Sequence, residues 1–152
     1  IGTLQTNKVR QIIGKVCCIQ SVNSLHLARE IQKRAQTAGT VLDVLVEVNI
    51  GGEETKTGAD HSQVMKLVED LSGFSALRVK GLMCIPPFGK NSLETERFFD
   101  QMYKIFVDIK AQTIDNICME TLSMGMTGDY QLAVRHGANL VRVGTGIFGK
   151  RN

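Results

Sequence analysis

The chain has 152 residues, 43% of them hydrophobic and 22% charged, and a net charge of +3. That length is enough for one domain with its own core, residues 1–152. The small charge, with no cluster of Lys and Arg among aromatics, argues against nucleic acid as a partner. No apolar run approaches about 18 residues and no signal-peptide pattern opens the chain, so neither membrane insertion nor secretion is expected.

Residues 1–5 read as a strand already under way, with no initiator methionine, and are expected to continue elements that precede them. A short helical stretch near 7–13 leads to a strand at 16–20. The spacing of Leu25, Ala28, Ile31, Ala35 and Ala38 predicts a helix over 24–38, with Asn23 as N-cap and Gly39 as stop. Residues 44–50 form the next strand, and Asp60-His-Ser-Gln63 opens a helix with Val64, Leu67, Val68 and Leu71 inward. A strand at 79–85 ends at Pro86-Pro87, after which Asn91 and Glu94 cap a long helix to about Ala111. Its stripe of Phe98, Phe99, Met102, Phe106 and Ile109 is core packing. A strand at 121–125 with a short helix to His136, then a strand at 140–143 with a glycine loop, complete the pattern. Cys17, Cys18, Cys84 and Cys118 include no C-x-x-C pair, and His26, His61 and His136 lack ligand spacing. They read as reduced thiols and isolated imidazoles of a cytoplasmic protein without a metal site.

Six β/α units in succession, with no hairpin signals, imply a parallel α/β sheet, either doubly wound or a (β/α)8 barrel. The functional signal lies in two runs, Leu122-Ser-Met-Gly-Met-Thr-Gly-Asp129 and Val141-Arg-Val-Gly-Thr-Gly-Ile-Phe-Gly149. Each starts as an apolar strand and breaks into glycine and hydroxyl residues. Glycine lets backbone N–H groups turn toward a ligand at close range, and Ser123, Thr127 and Thr145 add donors, which is how a phosphate is held without a Walker lysine. Gly144-Thr-Gly146-Ile-Phe-Gly149 matches G-x-G-x-x-G, but the chain ends three residues later, without the further strand and acidic residue of a dinucleotide fold. Barrels often hold phosphate on the loops after strands 7 and 8. Counting back from there makes 1–5 strand 3, with two units expected upstream.

These runs, with Ile1-Gly-Thr-Leu-Gln-Thr-Asn-Lys8, Val48-Asn-Ile-Gly-Gly-Glu-Glu-Thr-Lys-Thr-Gly58 and Gly81-Leu-Met-Cys-Ile-Pro86, resemble the pyridoxal phosphate homeostasis protein family from the first residue to the last. The resemblance implies a TIM-type barrel of the alanine racemase N-terminal-domain kind, here strands 3–8. It also implies pyridoxal 5′-phosphate (PLP) as cofactor, and a role in cofactor homeostasis or delivery, with PLP-requiring apo-enzymes as partners, without established turnover. Carried onto matching positions, Ser123, Met124, Gly144 and Thr145 would hold the phosphate and Arg142 would face the pyridine nitrogen. The family's Schiff-base lysine belongs to strand 1, and no lysine here matches it. Lys8 and Lys56 lie only in loops expected on the ligand-binding rim.

Strand alternation puts Arg142 and Gly144 on one side, which supports a ligand-facing arginine. A guanidinium opposite the ring keeps the pyridine nitrogen unprotonated and the ring a weak electron sink, which suits a carrier better than a transaminase. Two alternatives stay open at this point. One is an amino-acid racemase of the same fold. The other is a sugar-phosphate isomerase or aldolase barrel, for which Glu47 and Glu120 are the nearest carboxylates.

Overall fold

The computed structural model describes residues 2–53, 57–89 and 91–149. A 3-10 turn, Thr6–Lys8, runs into the short helix α1 (Val9–Ile12). Then follow β1 (Cys18–Val22), α2 (Leu25–Thr37), β2 (Leu42–Asn49), β3 (Ala59–Asp60), α3 (Val64–Ser72), β4 (Leu77–Cys84), α4 (Ser92–Lys110), β5 (Ile117–Met126), α5 (Tyr130–Arg135), β6 (Leu140–Arg142) and α6 (Thr145–Phe148). Strands β1, β2, β4, β5 and β6 lie side by side in chain order, and every pairing is parallel. The two-residue β3 joins the end of β2 on the β1 side, because the other side of Val48 is already taken by Cys84.

An unreversed strand order is that of a singly wound sheet, and the packing agrees. Leu27, Ala28 and Ile31 of α2, Val64, Val68 and Leu71 of α3, Phe99, Met102 and Ile109 of α4 and Ala133 of α5 all join one cluster. The strand residues in that cluster alternate: Val44, Val46 and Val48 on β2, Leu82 and Cys84 on β4, Leu122 and Met124 on β5. Helices α2–α5 therefore cover one face of the sheet, the arrangement of a barrel wall and not of a doubly wound sheet. The intervening residues Leu45, Glu47, Met83 and Ser123 are also buried, yet lie outside the cluster. They belong to the opposite, inner face.

Two glycines fix the close approaches. Gly81, at φ 153°, sits where β4 shifts register against both neighbours, and a Cβ there would come within 1.8 Å of the Thr121 carbonyl oxygen. Gly125, at φ 93°, admits α5, since a Cβ would meet Ala133 at 2.6 Å.

The expected strand at 1–5 is corrected: residues 2–5 form no strand, so the sheet has five principal strands plus β3. Gly2, Thr3 and Leu4 line, together with β1, a cavity of about 420 Å³ and make no ladder with that strand. The N-cap of α2 is Ser24, whose Oγ accepts from the Leu27 amide, and not its neighbour Asn23. Asp60 caps a 3-10 turn, His61–Gln63, that delays α3 to Val64. The Asn91–Glu94 capping box forms as expected. Among the described residues no helix is long and apolar enough to cross a membrane, and no group of three or more His, Cys, Asp or Glu is placed to hold a metal.

Candidate functional site

Register places Glu47, Met83 and Ser123 in one row across β2, β4 and β5 on the inner face. Arg142, the last residue of β6, reaches into this row. Its Nη1 donates to Ser123 Oγ at 2.5 Å and its Nη2 to the Cys84 carbonyl at 2.8 Å. Ser123, fully buried, passes its own proton to Gln20 Oε1 at 2.7 Å. A chain of hydrogen bonds thus spans the inner face from β6 through β5 to β1, across 103 residues of sequence between Ser123 and Gln20.

Arg142 Nε is closed off from the surface and has no hydrogen-bond partner among the described residues. Burial pushes the guanidinium's pKa down, and the Cys84, Asp129 and Glu47 groups pull it back. It remains cationic, because arginine starts so far above neutrality. Glu47, 4% exposed, accepts from the Thr57 hydroxyl at 2.8 Å through Oε1, while Oε2 has no partner. Among the described residues the inner face therefore holds a half-buried cation and a buried carboxylate, each with a closed-off polar atom that has no partner. Buried groups left in that condition mark sites more often than scaffolds.

The two glycine loops meet. Thr127, just beyond β5, accepts from the amides of Gly144 at 3.2 Å and Gly146 at 3.1 Å, tying the β5 loop to the start of α6. In this position Thr127 takes backbone protons and organises the loop. The Thr145 hydroxyl is exposed and makes no hydrogen bond among the described residues.

Arg142, Ser123, Gly144 and Thr145 are thereby brought to one rim, at the C-terminal ends of β5 and β6. Met124 differs: its side chain is fully buried in the helix-side cluster, which leaves only its backbone to face the loop. Lys8 is exposed in the first 3-10 turn, and Lys56 lies outside the described residues. Asn49 holds its own loop, donating to the Glu53 carbonyl. Glu120 is a surface residue bonded to Lys80 and Cys118, away from the row. Gln20 and the Cys84 carbonyl had no sequence signal, since both join the site through partners distant in the chain.

Comparison with known proteins agrees with this fold. The family described as alanine racemase, N-terminal domain, matches residues 2–152. The pyridoxal phosphate homeostasis protein of Aquifex aeolicus is 42% identical over 99% of this chain, which spans 65% of that relative's length. The structure of PipY of Synechococcus elongatus with PLP bound superposes with TM-score 0.88 at 32% identity, over 98% of this chain and 68% of that one. An alanine racemase of Clostridium difficile, at 15% identity and TM-score 0.70 over 99% of this chain and 41% of its own, shares the fold. The inner-face arginine, the paired glycine loops and the singly wound sheet thus lie in a chain that belongs to the alanine racemase N-terminal domain family, beside the pyridoxal phosphate homeostasis proteins.

Proposed function

We propose that residues 1–152 form a PLP-binding domain and that the intact protein stores or delivers this cofactor in the cytoplasm instead of using it in catalytic turnover. The observation that carries the proposal is Arg142. Its guanidinium is held on two sides by Ser123 and the Cys84 carbonyl, which leaves a second N–H on each of Nη1 and Nη2, at the rim where two glycine loops meet. The residues present fit the cofactor. The remaining N–H groups on Arg142 Nη1 and Nη2 suit the lone pair of a ring nitrogen, and the Thr145 hydroxyl with the backbone of Met124, Gly144 and Thr145 suits the phosphate. Ser123 contributes through Arg142, since its proton is already given to Gln20.

When bound, PLP supplies an aldehyde and an electron-withdrawing ring. Arg142, permanently cationic, would donate to the ring nitrogen and leave it unprotonated, which would weaken that withdrawal. The chain's own groups therefore orient the cofactor without activating it. The name and cofactor of the relatives point the same way: the Aquifex aeolicus protein is named for PLP homeostasis, and PipY is seen with PLP. PLP-requiring apo-enzymes are the proposed recipients. Exposed free thiols at Cys17 and Cys118 suit a reducing compartment.

Absorbance titration with PLP and with unphosphorylated pyridoxal tests the proposal. The chain is expected to prefer PLP, and Thr145→Ala to remove about 1.5–3 kcal/mol of that preference, the worth of a hydrogen bond to a charged group. Ser123→Ala is expected to weaken both ligands, because it acts through Arg142. Equal affinity for PLP and pyridoxal in the unmodified chain would refute the phosphate site.

A further inference from the structure

We infer that Gln20 is a further ligand-binding residue, whose side-chain amide presents a fixed N–H donor to an acceptor oxygen on the ring edge of the bound cofactor. The inference rests on the PLP reading above and extends it to a strand, β1, that carries none of the residues assigned so far.

Hydrogen-bond polarity sets the direction. A guanidinium offers only donors, so across the contact with Arg142 Nη1 the Ser123 oxygen must accept. The single Ser123 proton then needs another acceptor. Ser123 is fully buried, and Gln20 Oε1 at 2.7 Å is the acceptor it meets. Turning the Gln20 amide over would place NH2 against a hydroxyl whose proton had no acceptor, leaving a buried donor unsatisfied. The order Arg142 to Ser123 to Gln20 is therefore fixed by chemistry, whatever the assignment of the amide atoms. It leaves Gln20 Nε2 directed away from Ser123, and Nε2 makes no hydrogen bond among the described residues.

Gln20 and Arg142 line the same cavity of about 420 Å³ beside β1. Among the described residues, no carboxylate lines it. Two side chains that can only donate toward its interior call for a ligand edge rich in acceptors. Beyond the ring nitrogen, the acceptor on that edge of PLP is the oxygen at ring position 3. Gln20 would then select pyridoxal-type ligands with a free oxygen at this position.

The test compares PLP with its 3-O-methyl ether, in which that oxygen cannot ionise, by absorbance or fluorescence titration of the chain. Circular dichroism and a melting curve check the fold. Gln20→Glu keeps an acceptor for Ser123 but replaces the outward NH2 with an oxygen. Gln20→Met, neutral and similar in size, separates loss of the donor from added charge. The unmodified chain is expected to bind PLP at least about tenfold more tightly than the ether, and both variants to lose roughly 10- to 100-fold for PLP but far less for the ether. PLP affinity within twofold of the unmodified chain in both variants, or equal losses for both ligands, would overturn the role of Gln20. If the unmodified chain binds PLP with a preference for its phosphate and the variants are unaffected, only Gln20 is reassigned. If it binds neither ligand, the PLP reading and this one fall together.

Discussion

Replacing Gly81 with Ala puts the β4–β5 seam to a direct test. At φ 153° the backbone is one that side chains rarely adopt, and the added carbon would lie 1.8 Å from the Thr121 oxygen, 2.7 Å from its carbonyl carbon and 3.0 Å from its nitrogen. All three are backbone atoms of a central strand, so no side chain can swing aside. Restoring an ordinary separation of about 3.5 Å requires β4 and β5 to part by roughly 1.5 Å, beyond what a ladder hydrogen bond tolerates. Backbone strain of about 1–3 kcal/mol and overpacking of about 1–3 kcal/mol sum to about 2–6 kcal/mol. That is a large share of a typical domain stability of about 5–15 kcal/mol. The damage also reaches the site, because Gly81 pairs with Thr121 two positions before Met83 pairs with Ser123, and Arg142 bridges Ser123 to the Cys84 carbonyl. Urea unfolding followed by circular dichroism is the assay. Gly73→Ala is the control, since Gly73 has φ −75° and open space around its Cα. The control is expected to stay within about 1 kcal/mol of the unmodified chain. Should Gly81→Ala cost under about 1 kcal/mol with unchanged slope, the close approach of β4 to β5 is wrong.

Thr127→Val removes the acceptor shared by the Gly144 and Gly146 amides and is expected to cost about 1–2 kcal/mol of stability and to weaken PLP more than pyridoxal; an unchanged melting curve and PLP affinity would show that the tie is incidental. Burial pushes the Cys84 thiol up to about 12 and, with Asp43 and Cys17, the Cys18 thiol up to about 11, both above the ordinary 9.0. Native Cys84 is therefore expected to escape alkylation at mild pH while exposed Cys17 and Cys118 react, as mass spectrometry of the modified chain would report. The same shifts give stability that is complete below about pH 9. Above it the unfolded thiols ionise first, and stability falls with rising pH, most of it through the fully buried Cys84, until the folded pKa values are reached. Borohydride reduction in the presence of PLP is expected to leave no single stoichiometric label on a lysine; full labelling at Lys8 or Lys56 would mean that this chain carries a covalent anchor of its own.

The fold was legible wherever a local pattern decides it. Val64, Leu67, Val68 and Leu71 recur at helical spacing and are all buried, and Asn91 with Glu94 forms the box that its spacing announces. The glycine loops were legible because glycine beside hydroxyl residues at a strand end has few other uses, and Thr127 does join them. What stayed hidden depends on distant partners. Residues 2–5 have strand-like composition, but a strand also needs a neighbour within hydrogen-bonding reach, and Gly2, Thr3 and Leu4 line a cavity with β1 without a ladder to it. Gln20 looks like any polar strand residue until Ser123 meets it. Asn23 and Ser24 are both good caps, and composition does not say which of two adjacent residues the backbone will turn at.

On β5, consecutive side chains serve opposite faces: Leu122 and Met124 enter the helix-side cluster, while Ser123 bonds Arg142 and Gln20 on the other. A slip of one residue would exchange a thioether for the hydroxyl beneath Arg142 and drop that hydroxyl into the apolar core. Tolerance to change in chain length is therefore unequal along this stretch. Before Met126, a single inserted or deleted codon reverses the faces of the strand and removes the site together with part of the core. After Thr127 the constraint is of another kind: the Asp129 carboxylate accepts from the Met126 amide across the turn, so a change of length there unties the start of α5 from the end of β5 but leaves the two faces of the strand as they are.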